Sequence, residues 1–317
     1  MSTPRAERPL HVILWGATGF TGRLVAEYLT RQHRTLRWAI AGRSQAKLER
    51  LRASLAAIDG ELAQLPIRVA DASDAASLAR RVVESRVVIT TGGPYARYGA
   101  ELVAACVEAG TDYVDLTGEP QFVRQTIDRH HLRARATGAR IVHCCGYDSI
   151  PSDLGTLFLQ AAMQERHGVA CGEVRAYASD VRGGASGGTI DSALLMAEQA
   201  SSDAAVRRTL ANPYSLDPDR PSPGHDGRDS FGVHRDEALG SWTGPFVMAS
   251  INAKIVRRSH ALLGYPWGLD FRYSEGMSTG PGLRGLGTAV AISAGTIGLG
   301  LGPAIGPLGQ VKFRWSR

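Results

Sequence analysis

Lysine is almost missing from this chain. Lys47, Lys254 and Lys312 are the only three among 36 basic residues, and the rest are scattered arginines. Against 30 acidic residues they leave a formal net charge of +6. No basic block with interleaved aromatics occurs, which argues against a nucleic-acid partner. Cysteine is also scarce. Cys106, Cys144, Cys145 and Cys171 show neither metal-ligand spacing nor the Cys/His pairing of a thiol nucleophile, so no metal is expected. His130, His131 and His143 read as surface and core residues. No leader-like hydrophobic stretch opens the chain, so the expectation is a cytoplasmic protein with reduced thiols. Cys144 and Cys145, whose vicinal bridge would be strained, are expected within a buried strand.

Charge disappears altogether over 285–311, a run with eight glycines and two prolines. It is long enough to cross a bilayer but has no Leu/Phe-dense centre. Two readings stay open: a segment embedded in a membrane or associated with it peripherally, or a buried helical hairpin or hydrophobic substrate tunnel. Elsewhere, 44% hydrophobic and 21% charged residues over 317 positions describe an ordinary globular chain with room for two compact units.

What is present first is a glycine triplet. The apolar run His11–Trp15 meets Gly16, Gly19 and Gly22, and Leu24, Val25, Tyr28 and Leu29 follow at helical spacing. A strand, a tight turn and a helix N-terminus in that order hold a dinucleotide pyrophosphate. Gly16, Thr18, Gly19, Phe20 and Gly22 are therefore candidate cofactor-binding residues. The spacing G-x-x-G-x-x-G also suits any strand-to-helix turn, so more is needed.

The next strand supplies it. Arg37–Ala41 runs into Gly42, Arg43 and Ser44, where an Asp or Glu would otherwise accept from the adenosine ribose. A guanidinium and a hydroxyl suit a 2′-phosphate, so the cofactor reads as NADP(H) rather than NAD(H). Ser44 is also placed to cap the following helix. Strand–helix alternation continues through Ile67–Ala70, Val87–Thr91, Tyr113–Leu116 and Arg140–Cys144. The fold class is α/β, an N-terminal Rossmann doubly wound parallel sheet with a second α+β domain. Asp71 and the small residues Gly92, Gly93 and Pro94 fall at carboxyl ends of strands, where such sheets bind ligands.

The expected domains are 1–151 (NADP-binding), 152–280 (an α+β substrate or dimerisation domain, which allows a homodimer) and 281–317 (a Gly-rich hydrophobic tail). Leu154, Leu157, Phe158 and Ala161 mark a helix at the start of the second domain. Residues 212–230 read as a long surface loop.

Several motifs coincide with one family: Gly16–Gly22, Ala41–Ser44, Gly93-Pro94-Tyr95 with Tyr98-Gly99, Asp112–Glu119, Cys145–Asp153 and Gly187-Gly188-Thr189. Over about residues 10–280 the chain resembles the saccharopine dehydrogenase-like oxidoreductases, in the branch that contains trans-acting enoyl reductases. The resemblance implies hydride transfer to an enoyl chain, a hydrophobic acyl thioester carried on a polyketide synthase. It also implies that members extend further at the C-terminus than residue 317. The enolate left by such a transfer needs hydrogen-bond donors and a proton at Cα. Tyr95, Tyr147 and Ser149 are the catalytic candidates on that ground. Two other readings stay open. In a saccharopine-type reductase of an amino-acid-derived imine, Arg175, Arg182, Arg257, Arg258 and Arg272 would gather round carboxylates. The other is a non-catalytic NADP-binding redox regulator.

Overall fold

The computed structural model describes residues 4–72, 74–179, 187–218, 224–226 and 232–301. The chain divides into two units after Gly146.

The first unit alternates strand and helix: β1 (Leu10–Trp15), α1 (Phe20–Gln32), β2 (Trp38–Gly42), α2 (Gln45–Ala56), β3 (Ile67–Val69), α3 (Ala75–Val82), β4 (Ser85–Thr90), α4 (Tyr95–Tyr98), α5 (Ala100–Ala109), β5 (Asp112–Asp115), α6 (Pro120–Thr137) and β6 (Ile141–Val142). The strands form one parallel sheet in the order β3-β2-β1-β4-β5-β6. Strand order reverses beside β1, so the carboxyl ends of β1 and β4 flank the crevice where such sheets bind ligands. Alternation along β1 serves two cores. Ile13 and Trp15 join Val88, Tyr113 and the buried faces of α3, α5 and α6. Leu14 joins Ile40, Ala26 and Leu29 of α1, and Leu48, Leu51 and Leu55 of α2. Burial on both faces is why these strands are continuously apolar.

The expected strand over Arg140–Cys144 is cut to Ile141–Val142, and Cys144 leaves it with φ 61°. Asp115 causes the turn: its carboxylate accepts from the Cys144 N–H and its carbonyl from that of Cys145. The vicinal cysteines therefore lie in a loop rather than a buried strand. All four cysteines are free thiols.

The second unit contains α7 (Ile150–His167), β7 (Glu173–Ala178), α8 (Gly187–Ser202), α9 (Ala204–Ala211), β8 (His234–Asp236), β9 (Ser241–Gly244), α10 (Ala249–Leu262), β10 (Arg272–Gly280) and α11 (Gly282–Leu301). Its sheet runs β7-β10-β9-β8, parallel between β7 and β10 and antiparallel beyond. Ala253 and Val256 of α10 pack with Val174, Phe271 and Tyr273 to make its core.

Helix α7 inverts its expected face. Ser152, Thr156 and Gln160 are buried, while Leu154, Leu157 and Phe158 are exposed. Each inward polar group has a partner. Ser152 donates to Glu275, Thr156 to the Ser152 carbonyl, and Gln160 both donates to and accepts from the Cys171 backbone.

The part of the expected tail beyond α11, residues 219–223 and 227–230 of the expected 212–230 loop, and Arg182 lie outside the described residues. Among the described residues, no helix is long and apolar enough to cross a membrane.

Candidate functional site

Every cofactor candidate sits at a carboxyl end of the first sheet. Gly16 ends β1 with φ 73°, and a Cβ there would stand 2.9 Å from the Gly92 nitrogen. The turn after β1 and the loop after β4 are thus packed backbone to backbone. Thr91 locks them, its Oγ1 donating to the carbonyls of Trp15 and Gly16. Gly22 lies in the first turn of α1, with room for a Cβ denied by the Gly16 carbonyl at 2.3 Å. Gly19 differs: its Cβ would make only ordinary contact, and the residue is exposed at the helix N-cap with no capping side chain. The unpaired N–H groups of the first turn of α1 therefore open beside Gly19 and Phe20. Thr18, half-buried, gives its carbonyl to the Arg23 guanidinium.

Ser44 is the N-cap residue of α2, yet its hydroxyl makes no capping bond. Arg43 beside it is exposed, and among the described residues its guanidinium has no ion pair or hydrogen bond. Neither α1 nor α2 carries an acid in its first turn. Asp71 is exposed after β3. A glycine cradle, two acid-free helix N-termini, an uncommitted guanidinium and a spare hydroxyl fit a dinucleotide bearing a 2′-phosphate.

After β4, Gly92 donates to the Thr90 hydroxyl, and the Gly93–Pro94 peptide is cis. Tyr95 is 4% exposed and its hydroxyl donates to the Thr90 carbonyl. Burial pushes its pKa well above the ordinary tyrosine value, and the nearby Asp115 charge adds to this. Tyr147 and Ser149 belong to the second unit. Tyr147 is 87% exposed, whereas Ser149 is 3% exposed and donates to Asn252. Sequence reasoning gave no role to the acids that brace this edge. Asp115 is buried, accepting from Tyr113 at 3.0 Å and pairing with His143 Nδ1 at 2.7 Å. Burial raises the Tyr113 pKa, with the Asp115 charge next. Glu119 is also buried. The signal was the alternation Asp115, Thr117, Glu119 just past a strand end, a pattern of side chains that hydrogen-bond locally to backbone.

The four described arginines of the proposed cluster are engaged with protein oxygens. Arg257 is bound to Asp226 and to the carbonyls of Pro213 and Tyr273. Arg258 holds the Leu216 carbonyl, Arg175 pairs with Asp236 and Glu173, and Arg272 lies near Glu173. Among the described residues no cluster of three or more His, Cys, Asp or Glu could hold a metal ion.

Strand order and the site at the switch point together define a dinucleotide-binding Rossmann domain. Residues 12–142 match the family model described as the saccharopine dehydrogenase NADP binding domain. A trans-acting enoyl reductase of Mycobacterium tuberculosis is 43% identical over 305 residues, 93% of this chain and 72% of its own. Its counterpart in Mycobacterium leprae is 42% identical over the same shares. A candidate trans-acting enoyl reductase of Mycobacterium tuberculosis is 45% identical over 306 residues, 94% of this chain and 70% of its own. Among solved structures, saccharopine dehydrogenase from Saccharomyces cerevisiae aligns with 50% of this chain and 32% of its own, at 18% identity and a TM-score of 0.35. The chain belongs to the saccharopine dehydrogenase-like oxidoreductases, in the trans-acting enoyl reductase branch, and its first unit carries that family's NADP-binding domain.

Proposed function

We propose that this protein reduces the enoyl double bond of a hydrophobic acyl thioester held on a polyketide synthase, with NADPH as reductant. The observation that carries the reading is that identity to the named enoyl reductases extends over 93% of the chain. It therefore takes in the second unit as well as the cofactor domain. Bound NADPH supplies the hydride for Cβ. The chain's own work is to hold the cofactor and serve the enolate. Gly16, Thr18, Gly19, Phe20 and Gly22 hold the pyrophosphate, Arg43 and Ser44 take the 2′-phosphate, Asp71 borders the adenine, and Gly92, Gly93 and Pro94 border the nicotinamide half.

Of the three hydroxyl candidates, we assign Cα protonation to Tyr147. Its exposure supports this, whereas the hydroxyls of Tyr95 and Ser149 donate to protein acceptors. Commitment of Arg175, Arg257, Arg258 and Arg272 to protein oxygens favours an apolar acyl substrate over an imine bearing several carboxylates.

The test is the purified protein with NADPH and a panel of enoyl thioesters, reading loss of NADPH absorbance and saturation of the double bond by mass. Consumption with enoyl thioesters and not with imines is expected. NADPH binding without oxidation of NADPH by either substrate class would leave the regulator reading instead. Tyr147→Phe should lower turnover by about 10²-fold or more, the usual worth of a general acid, with NADPH affinity kept.

A further inference from the structure

From the last residue of β5 the chain reads Asp115-Leu116-Thr117-Gly118-Glu119. Its three oxygen-bearing side chains act in succession. The Asp115 carboxylate accepts from the Thr117 N–H at 3.1 Å, and the Thr117 hydroxyl accepts from the Glu119 N–H at 3.2 Å. Glu119 then reaches out of its own segment. One carboxylate oxygen accepts from the Tyr95 N–H at 2.9 Å and the other from the Ala96 N–H at 2.8 Å. Glu119 stands at the N-cap of α6, yet its side chain makes no capping bond there. It caps α4 instead.

A carboxylate that is 1% exposed gives up water, a cost that charge-assisted bonds to backbone N–H groups offset. What those two bonds fix is the far end of the Gly92–Ala96 loop. The near end is held by Thr91, whose N–H and hydroxyl both bond to the Trp15 carbonyl. Between the two anchors lie Gly92 and Gly93, and Gly92 is the residue packed on the Gly16 turn.

We propose that Glu119 is a positioning residue for the cofactor. By capping α4 it holds the Gly92–Ala96 loop at the separation from the Gly16–Gly22 turn that the nicotinamide half of NADP(H) needs. This rests on the reading above that Gly92, Gly93 and Pro94 border that half.

The experiment compares two ligands on the same protein: NADPH, and adenosine 2′,5′-bisphosphate, which carries only the adenine half. Each is titrated against wild type, Glu119→Gln and Thr117→Ala, with the thermal midpoint recorded alongside. A carboxamide offers one acceptor oxygen to two N–H donors. Glu119→Gln should therefore weaken NADPH about tenfold, within the range for a lost hydrogen bond to a charged group, and leave the bisphosphate unchanged. Thr117→Ala should weaken NADPH in the same sense, by about two- to threefold. Equal weakening of both ligands, or of neither, overturns the proposal, because a general structural effect does not distinguish the halves. Should Glu119→Gln not fold, the split in Thr117→Ala decides the matter. Wild type that binds the bisphosphate but not NADPH would end this proposal and the reductase reading together. The expected split without enoyl turnover sinks the enoyl reading and upholds the role of Glu119.

Discussion

A Cβ on Gly22 would lie 2.3 Å from the carbonyl oxygen of Gly16, closer than any side-chain carbon can approach. The first turn of α1 therefore rests directly on the turn that ends β1. Gly19, three residues earlier in the triplet, has no such neighbour, its nearest contact being 3.4 Å. Two glycines of one motif thus do different work, one in packing and one toward the ligand.

Alanine substitutions should separate them. Gly22→Ala is expected to destabilise the protein by about 2–3 kcal/mol through forced overpacking, with NADPH binding lost as α1 shifts. Gly19→Ala should cost less than about 1 kcal/mol as an N-cap change and weaken NADPH about tenfold. Thermal melts with and without NADPH check both. A Gly22→Ala variant as stable as wild type would contradict the packing described here.

Arg43 has no protein partner among the described residues, so its substitution should be almost silent in stability. Arg43→Ala should weaken NADPH by about 10–100-fold, the worth of charge-assisted bonds to a phosphate, and leave NADH unchanged. Parallel titrations decide it, and an equal loss for both dinucleotides removes the 2′-phosphate assignment.

Asp112, buried at the start of β5, accepts from Arg5 and from both the side chain and backbone N–H of Arg140. It joins the N-terminal segment to the entry of β6, and it raises the Arg140 pKa. Both of these arginines keep access to water. The buried Arg8, which also feels the Asp112 charge, keeps its bonds to the Ser85 and Ala109 carbonyls and the Thr111 hydroxyl. Asp112→Ala should cost about 1–2 kcal/mol in denaturant unfolding. An unchanged midpoint would show that the network contributes nothing.

Asp153 opens α7, and burial raises its pKa above the ordinary aspartate value of 3.8. A raised carboxylate pKa means the folded state favours the proton. The stability it contributes is complete below the unfolded pKa and is lost as pH rises through the folded one. Asp153→Asn should therefore raise the thermal midpoint near neutral pH, by a few degrees at most, and the gain should close as the pH falls below about 3.8. A gain that persists in acid would assign the effect to packing instead of charge.

Much of the first unit was legible because its signals are local. Gly110 ends α5 in the left-handed conformation that a helix C-cap favours. The β-branched run after Ser85 became a central strand, paired on both sides. Arg43 and Ser44 stand at a strand end next to the glycine turn because the parallel order puts β2 beside β1. The site was only half legible. Tyr95 reads as an available phenol in the sequence, but its ring is buried and its hydroxyl is bonded to the carbonyl that ends β4. Arg175, Arg257, Arg258 and Arg272 read as anion ligands until they are seen against their carboxylates and carbonyls.

In the first unit the sequence by itself determined the succession of strands and helices and where the glycine turn falls in it. Hydrophobic periodicity, glycine conformations and helix ends depend on residues within a few positions of one another. Only the tertiary structure decided which face of α7 turns inward and where Glu119 sends its carboxylate. An amphipathic helix can bury either face when its polar groups find partners, and Ser152, Thr156 and Gln160 found them. Glu119 could have capped its own helix. The approach of α4, 23 and 24 residues away, gave its carboxylate two other N–H groups to hold.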